Sequence, residues 1–217
     1  MSTWTSVGIL GCVAIAACWA LAVWLYRVGP PDSVARKLAL VLIAEGCALA
    51  TAGFPEFALG LDDRFFAEHA LYGRLNFVAH TIADSAMLVL YPPFLALALQ
   101  TKLVRPFGTR PVQIGLVVVA IAFVLAVQLS AWQIGATVLY VMLSLLFGFS
   151  LVASIHAWMS ATGVNRTRAR YFAIAFGIRD ICWGFVYGAS IWQVWSGTYL
   201  DGGMSNLDVY VKVIYAL

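Results

Sequence analysis

Six times in this chain the sequence runs for about twenty residues or more with almost no charge, and no other feature constrains the fold as tightly. A helix needs about 20 apolar residues to cross roughly 30 Å of hydrocarbon. The stretches are 5–26, 36–57, 74–100, 113–132, 135–160 and 170–195. A seventh opens near Ser205 and reaches Leu217 after thirteen residues, about 20 Å at the helical rise. Backbone amides in hydrocarbon must be paired within their own segment, so runs of this length become helices. The expectation is an all-α polytopic membrane protein, one transmembrane domain over 1–217. It is a seven-helix bundle whose seventh helix is incomplete at Leu217, the gene product being expected to run on beyond it.

Composition agrees. Charged residues make up 11% of the chain, against about 25% in soluble domains. Cys12, Cys18, Cys47 and Cys182 all sit inside apolar runs without a CxxC pair, which argues against a disulfide framework or a zinc site. The first apolar run lacks a basic leader and is too long for a cleavable signal.

The connections sort by charge. One set holds Arg27, Arg36, Lys37, Lys102, Arg105, Arg110, Arg166, Arg168 and Arg170, nine of the thirteen Lys and Arg residues. The other holds Glu56, Asp62, Asp63, Glu68, Asp201 and Asp208, with Arg64 and Arg74. Basic loops stay in the cytoplasm, so the expected location is the cytoplasmic (inner) membrane with the N-terminus outside. A tight turn at Trp132-Gln133-Ile134 makes the fourth and fifth spans a hairpin. The long outer connection through Leu59 to Phe66 reads either as an interfacial helix or lid, or as an ordinary loop with aromatics at the headgroups.

Six ionisable groups remain at membrane depth: Glu45, His80, Asp84, Arg179, Asp180 and Lys212. Each unpaired charge there costs at least about 2.5–3.5 kcal/mol, so they must face one another or water. Asn76, His80 and Asp84 recur every four residues and form one polar stripe. Gly177, Asp180, Gly184 and Gly188 share a face of the sixth span, where small residues allow close approach. Glu45 shares its face with Ala48 and Ala52. Such a set is either architectural, fixing the register of the bundle, or linked to a ligand, proton or signal. Pro92 and Pro93 bend the third span and make either a hinge or a fixed kink.

Three places resemble the N-terminal seven-helix sensor region of prokaryotic histidine kinases and related signalling proteins. They are Arg74-Leu75-Asn76-Phe77 with its run to Tyr91-Pro92-Pro93, the basic entry Arg166 to Phe172, and the Ile178 to Gly184 core. The resemblance covers nearly the whole chain. It implies a membrane-embedded input module with a cytoplasmic output domain, an assembly that is usually a homodimer, no cofactor, and no catalytic residue within this chain. A second resemblance is local. Leu207 to Val213, with Asp208 four residues before Lys212, is similar to the retinal-binding helix of microbial rhodopsins, and Phe147-Gly148-Phe149 echoes that family. It implies retinal on Lys212, with Asp84 and Asp208 as counter-ions. The third and sixth spans depart from that pattern, because Ser85 follows Asp84 and Arg179-Asp180 stand where aromatics belong. On Lys212 the other readings are snorkelling to the outer interface and an ion pair with Asp84 or Glu45.

A small transporter is the remaining alternative. Beyond the lipid bilayer, no nucleic-acid patch, phosphate loop or metal cluster is evident. The leading expectation is a sensor whose Glu45, His80, Asp84, Arg179, Asp180 and Lys212 form the signal core.

Overall fold

The computed structural model describes residues 3–61 and 63–196. Every regular element among them is helical: α1 (Thr3–Val28), α2 (Val34–Ala50), α3 (Phe54–Ala58), α4 (Asp63–Glu68), α5 (Ala70–Leu99), α6 (Arg110–Leu129), α7 (Trp132–Ser160) and α8 (Gly163–Ser196), with one 3₁₀ turn at Arg105–Gly108. Helices α1, α5, α6, α7 and α8 are long and apolar enough to cross a membrane. By length and composition these are the helices of a multi-pass membrane protein. The seventh span expected at 205–217, with Lys212 in it, lies outside the described residues.

The second span differs from its expected bounds of 36–57. Ser33 caps α2 by accepting a hydrogen bond from the Arg36 amide at 3.3 Å, and the helix closes at Ala50. Thr51 Oγ1 donates to the carbonyls of Cys47 and Ala48 at 2.9 and 3.1 Å. Gly53 then takes a left-handed conformation at φ 88°, which glycine adopts without steric cost, and Pro55 starts the short α3. Seventeen residues make α2 about 25 Å long, near the lower limit for a crossing. The α6–α7 turn also falls earlier than expected. It is made by Ser130 and Ala131, while Trp132 already belongs to α7.

The outward faces are apolar and the inward faces carry the polar groups. On α6, Ile114, Val118, Ile121 and Leu125 are exposed, one stripe at helical spacing. On α8 the exposed stripe is Ile174, Ile178, Ile181 and Phe185, and the adjoining face buries Ala173, Gly177, Asp180, Trp183 and Tyr187. Lipid tails are as apolar as these side chains, so burying them brings no gain, and polar residues go inside where they find partners.

α5 is the hub. It packs against α2 on one side and against α6 and α7 on the other, while α1 packs on α2 and α3, and α7 on α8. α2 and α8 share at most glancing backbone contact. At one end of the bundle α5 stops at Gln100, whose left-handed conformation (φ 53°) ends the helix. α8 is 34 residues long, about 50 Å, so its start, with Arg166, Arg168 and Arg170, extends beyond a hydrocarbon core. The sixth span was expected only from residue 170.

Candidate functional site

The polar interior centres on Arg179, midway along α8. Its Nη1 donates to Glu45 Oε2 on α2 at 3.3 Å. Nη2 and Nε both reach Asp180 Oδ1, at 2.8 and 3.1 Å. The guanidinium also lies against three rings, with centroids at 4.8 Å for Tyr91, 5.1 Å for Phe147 and 5.0 Å for Phe176. A weakly hydrated planar cation suits such a cage, and each ring contact contributes about 0.5–2 kcal/mol depending on desolvation.

Tyr91 completes the cluster from α5. Its hydroxyl lies 2.8 Å from Ser150 Oγ on α7 and 3.4 Å from both Asp180 oxygens. Asp180, Tyr91 and Ser150 are fully or almost fully buried. Four helices therefore meet through one arginine, two carboxylates, a phenol and a serine. With both carboxylates ionised the cluster carries one net negative charge.

A second group lies along α5, two helical turns from Tyr91. His80 Nε2 is 3.3 Å from Asp84 Oδ2, though Oδ2 makes no aligned hydrogen bond. His80 Nδ1 faces the Ala48 carbonyl and Thr51 Oγ1, each at 3.2 Å. Since the Thr51 hydroxyl is already directed at the Cys47 and Ala48 carbonyls, the Nδ1 surroundings are acceptors, and Nδ1 carries the proton. Nε2 then faces a carboxyl group. The pair is either imidazolium and carboxylate or imidazole and carboxylic acid, and one buried proton decides which. Asn76 anchors the same stripe by donating from Nδ2 to the Thr51 carbonyl at 2.8 Å. The end of α2 is thus tied to α5 by side chains acting on its free carbonyls.

Five of the six expected core residues fall into these two clusters: Glu45, Arg179 and Asp180 in one, His80 and Asp84 in the other. Lys212, like Asp208, lies outside the described residues. On the glycine face of α8, Asp180 is buried. Gly177 meets Leu151, and nothing among the described residues comes within 4 Å of a Cβ placed on Gly184 or Gly188, so among the described residues close approach on that face is confined to Gly177. Tyr91 and Ser150 were not among the expected site residues. Tyr91 continues the Asn76–His80–Asp84 stripe by seven residues, a signal present in the sequence; Ser150 has none. A separate pair lies at the opposite end from the arginines, where the Tyr72 hydroxyl donates to Glu56 Oε1, and Glu56 is buried.

Tyr91→Phe removes the hydroxyl that serves Ser150 and Asp180 while keeping the ring against Arg179. The expected loss is about 1–3 kcal/mol, the usual consequence of leaving buried polar groups without a partner. Thermal unfolding in a fixed detergent measures it.

No protein-family model matches the chain, and no curated protein or solved structure matches it.

Proposed function

We propose that the chain is the membrane-embedded input module of a signalling protein, a seven-helix bundle in the cytoplasmic membrane with its N-terminus outside. The observation that carries the reading is the Arg179 bridge. α8 packs along α7 and barely touches α2 with its backbone, yet Arg179 reaches Glu45 across that gap. α8 is seated on α7 by a packed apolar seam but, among the described residues, is joined to α2 only by this charge cluster, so the α2–α8 contact has two discrete arrangements available, bridge closed and bridge open. A proton, an ionic ligand or a change in the membrane that alters the pairing of Glu45 or Asp180 shifts the balance between them. The His80–Asp84 pair lies on the same hub helix. Motion of α8 relative to α5 then reaches the arginine-rich end of the bundle, where a cytoplasmic output domain would receive it. The alternation of basic and acidic connections supports the orientation.

The test is a transcription profile of cells whose own copy carries Glu45→Gln. This substitution keeps the shape and removes the charge that Arg179 needs on α2. The expected result is a discrete, stimulus-independent change in gene expression at unchanged protein abundance. An unchanged profile at equal abundance rejects the sensor reading, and a sustained solute or proton flux through reconstituted protein replaces it with a transporter. A visible absorbance band with all-trans retinal, lost in Lys212→Ala, replaces it with a retinal protein.

A further inference from the structure

A groove of about 300 Å³ runs along α5 between α2 and α6 at the arginine-rich end, lined by Lys37, Val89, Leu90, Pro93, Arg110, Gln113, Ile114 and Val117. α5 packs against both flanking helices, and α2 and α6 do not pack closely against each other, so the groove stays open toward the surroundings of the bundle. Its two ends differ in chemistry. Lys37 is in the first turn of α2 and Arg110 is the first residue of α6, which puts both cations at the helix ends. Ile114 and Val117 follow one and two turns deeper along α6, about 6 and 10 Å from Arg110. Pro93, Leu90 and Val89 line the same depth on α5. No acidic residue lines the groove, and among the described residues neither cation takes part in an ion pair.

Two unpaired cations above an apolar channel match a molecule with an anionic phosphate joined to a hydrocarbon chain. We infer that this groove binds one anionic phospholipid, with its phosphate on Lys37 and Arg110 and an acyl chain along Leu90, Pro93, Ile114 and Val117. Basic pockets between spanning helices at the headgroup level recognise such lipids. The inference needs only that these helices span a bilayer and does not depend on the sensor reading. The groove wall includes Pro93, one residue from Pro92 and two from Tyr91, so an occupied groove lies on the back of the helix that carries the interior clusters.

The test is native mass spectrometry of the full chain in detergent, titrated with phosphatidylglycerol and separately with phosphatidylcholine of the same chains. The expected result is one retained phosphatidylglycerol with about tenfold or greater preference over phosphatidylcholine. Lys37→Gln/Arg110→Gln abolishes that preference, and Lys37→Arg keeps it. Val117→Trp, which fills the channel with both cations intact, weakens retention of phosphatidylglycerol. The variants lie on the outer surface, and an unchanged unfolding midpoint confirms that they fold. Equal retention of the two lipids overturns the inference. So does loss of the preference in Lys102→Gln/Arg168→Gln, which would place the site between α5, α7 and α8. Competition by glycerol phosphate as effective as that by the lipid also overturns it, since the chain would then contribute nothing.

Discussion

Arg179→Leu lowers the stability of the bundle by roughly 3–5 kcal/mol, the usual consequence of removing one partner from a buried ion pair. The side chains of Glu45 and Asp180 are 12% and 1% exposed, so neither carboxylate can recover its hydration without opening the helices around it. Asp180 keeps the Tyr91 hydroxyl, but at 3.4 Å that bond is long and does not replace a bidentate guanidinium. Three ring faces lose their cation as well. Two companion variants separate these contributions. Arg179→Lys retains the charge and loses the fork and the stacking, so it falls between the leucine variant and the parent. Arg179→Leu/Glu45→Gln/Asp180→Asn removes the uncompensated charges and regains part of the loss, the remainder being the roughly 1–3 kcal/mol that a buried amide without a partner costs. Denaturant unfolding in one detergent ranks the three. A loss below about 1 kcal/mol for Arg179→Leu, typical of a solvated surface pair, would mean that the cluster is hydrated and holds nothing together.

Gly8→Ala is the second large effect, and its cause is steric. A Cβ on Gly8 falls on the carbonyl carbon of Phe57 and on the nitrogen and Cα of Ala58. These are backbone atoms of α3 and its end, and no rotamer change moves them aside. Overpacking by one methyl group typically costs about 1–3 kcal/mol, and a backbone obstacle puts Gly8 at the upper end. α3 must shift off α1 to make room, and it carries Glu56 with it, so the hydrogen bond from Tyr72 is lost together with the packing. Gly115→Ala is the control. Nothing lies within 4 Å of a Cβ there, and replacing glycine inside a helix removes a propensity penalty of up to about 1 kcal/mol. The expected outcome is a clear drop in unfolding midpoint for Gly8→Ala and none for Gly115→Ala. Equal midpoints would mean that α3 is not seated on α1.

The difference between these two glycines shows where the sequence is legible and where it is not. Both sit in apolar helices, and nothing local distinguishes them. The distinction arises from α3, a five-residue helix that exists because Gly53 and Pro55 break what reads in sequence as one span over 36–57. Hydropathy sees the apolar run and not the break, since Ala52, Phe54 and Phe57 keep the average high while the backbone turns. The long spans were legible because their length alone forces a helix. The membrane-depth charges were equally legible because charge is rare there, and the four-residue spacing of Asn76, His80 and Asp84 placed them on one face. The same spacing puts His80 within reach of Asp84, and that pair is present; which charges pair between helices was not legible. Arg179 was expected to face another charge or water, but its choice of Glu45 depends on where α2 and α8 stand around α5, and nothing in either helix encodes that. The aromatic cage around Arg179 draws Tyr91, Phe147 and Phe176 from three helices, so no window of sequence contains it. Lys212, the sixth expected core residue, lies outside the described residues.

The most direct measurement is the distance distribution between spin labels at Val34 and Val164, exposed positions at the same end of α2 and α8. The chain would carry replacements of its four cysteines and be reconstituted in a bilayer. The account predicts a dominant closed distance in the parent and a second, longer population in Glu45→Gln, where Arg179 has lost its partner on α2. A single unchanged distribution in both proteins would contradict it, because α8 would then be held by its packing alone and the Arg179 bridge could not act as a switch.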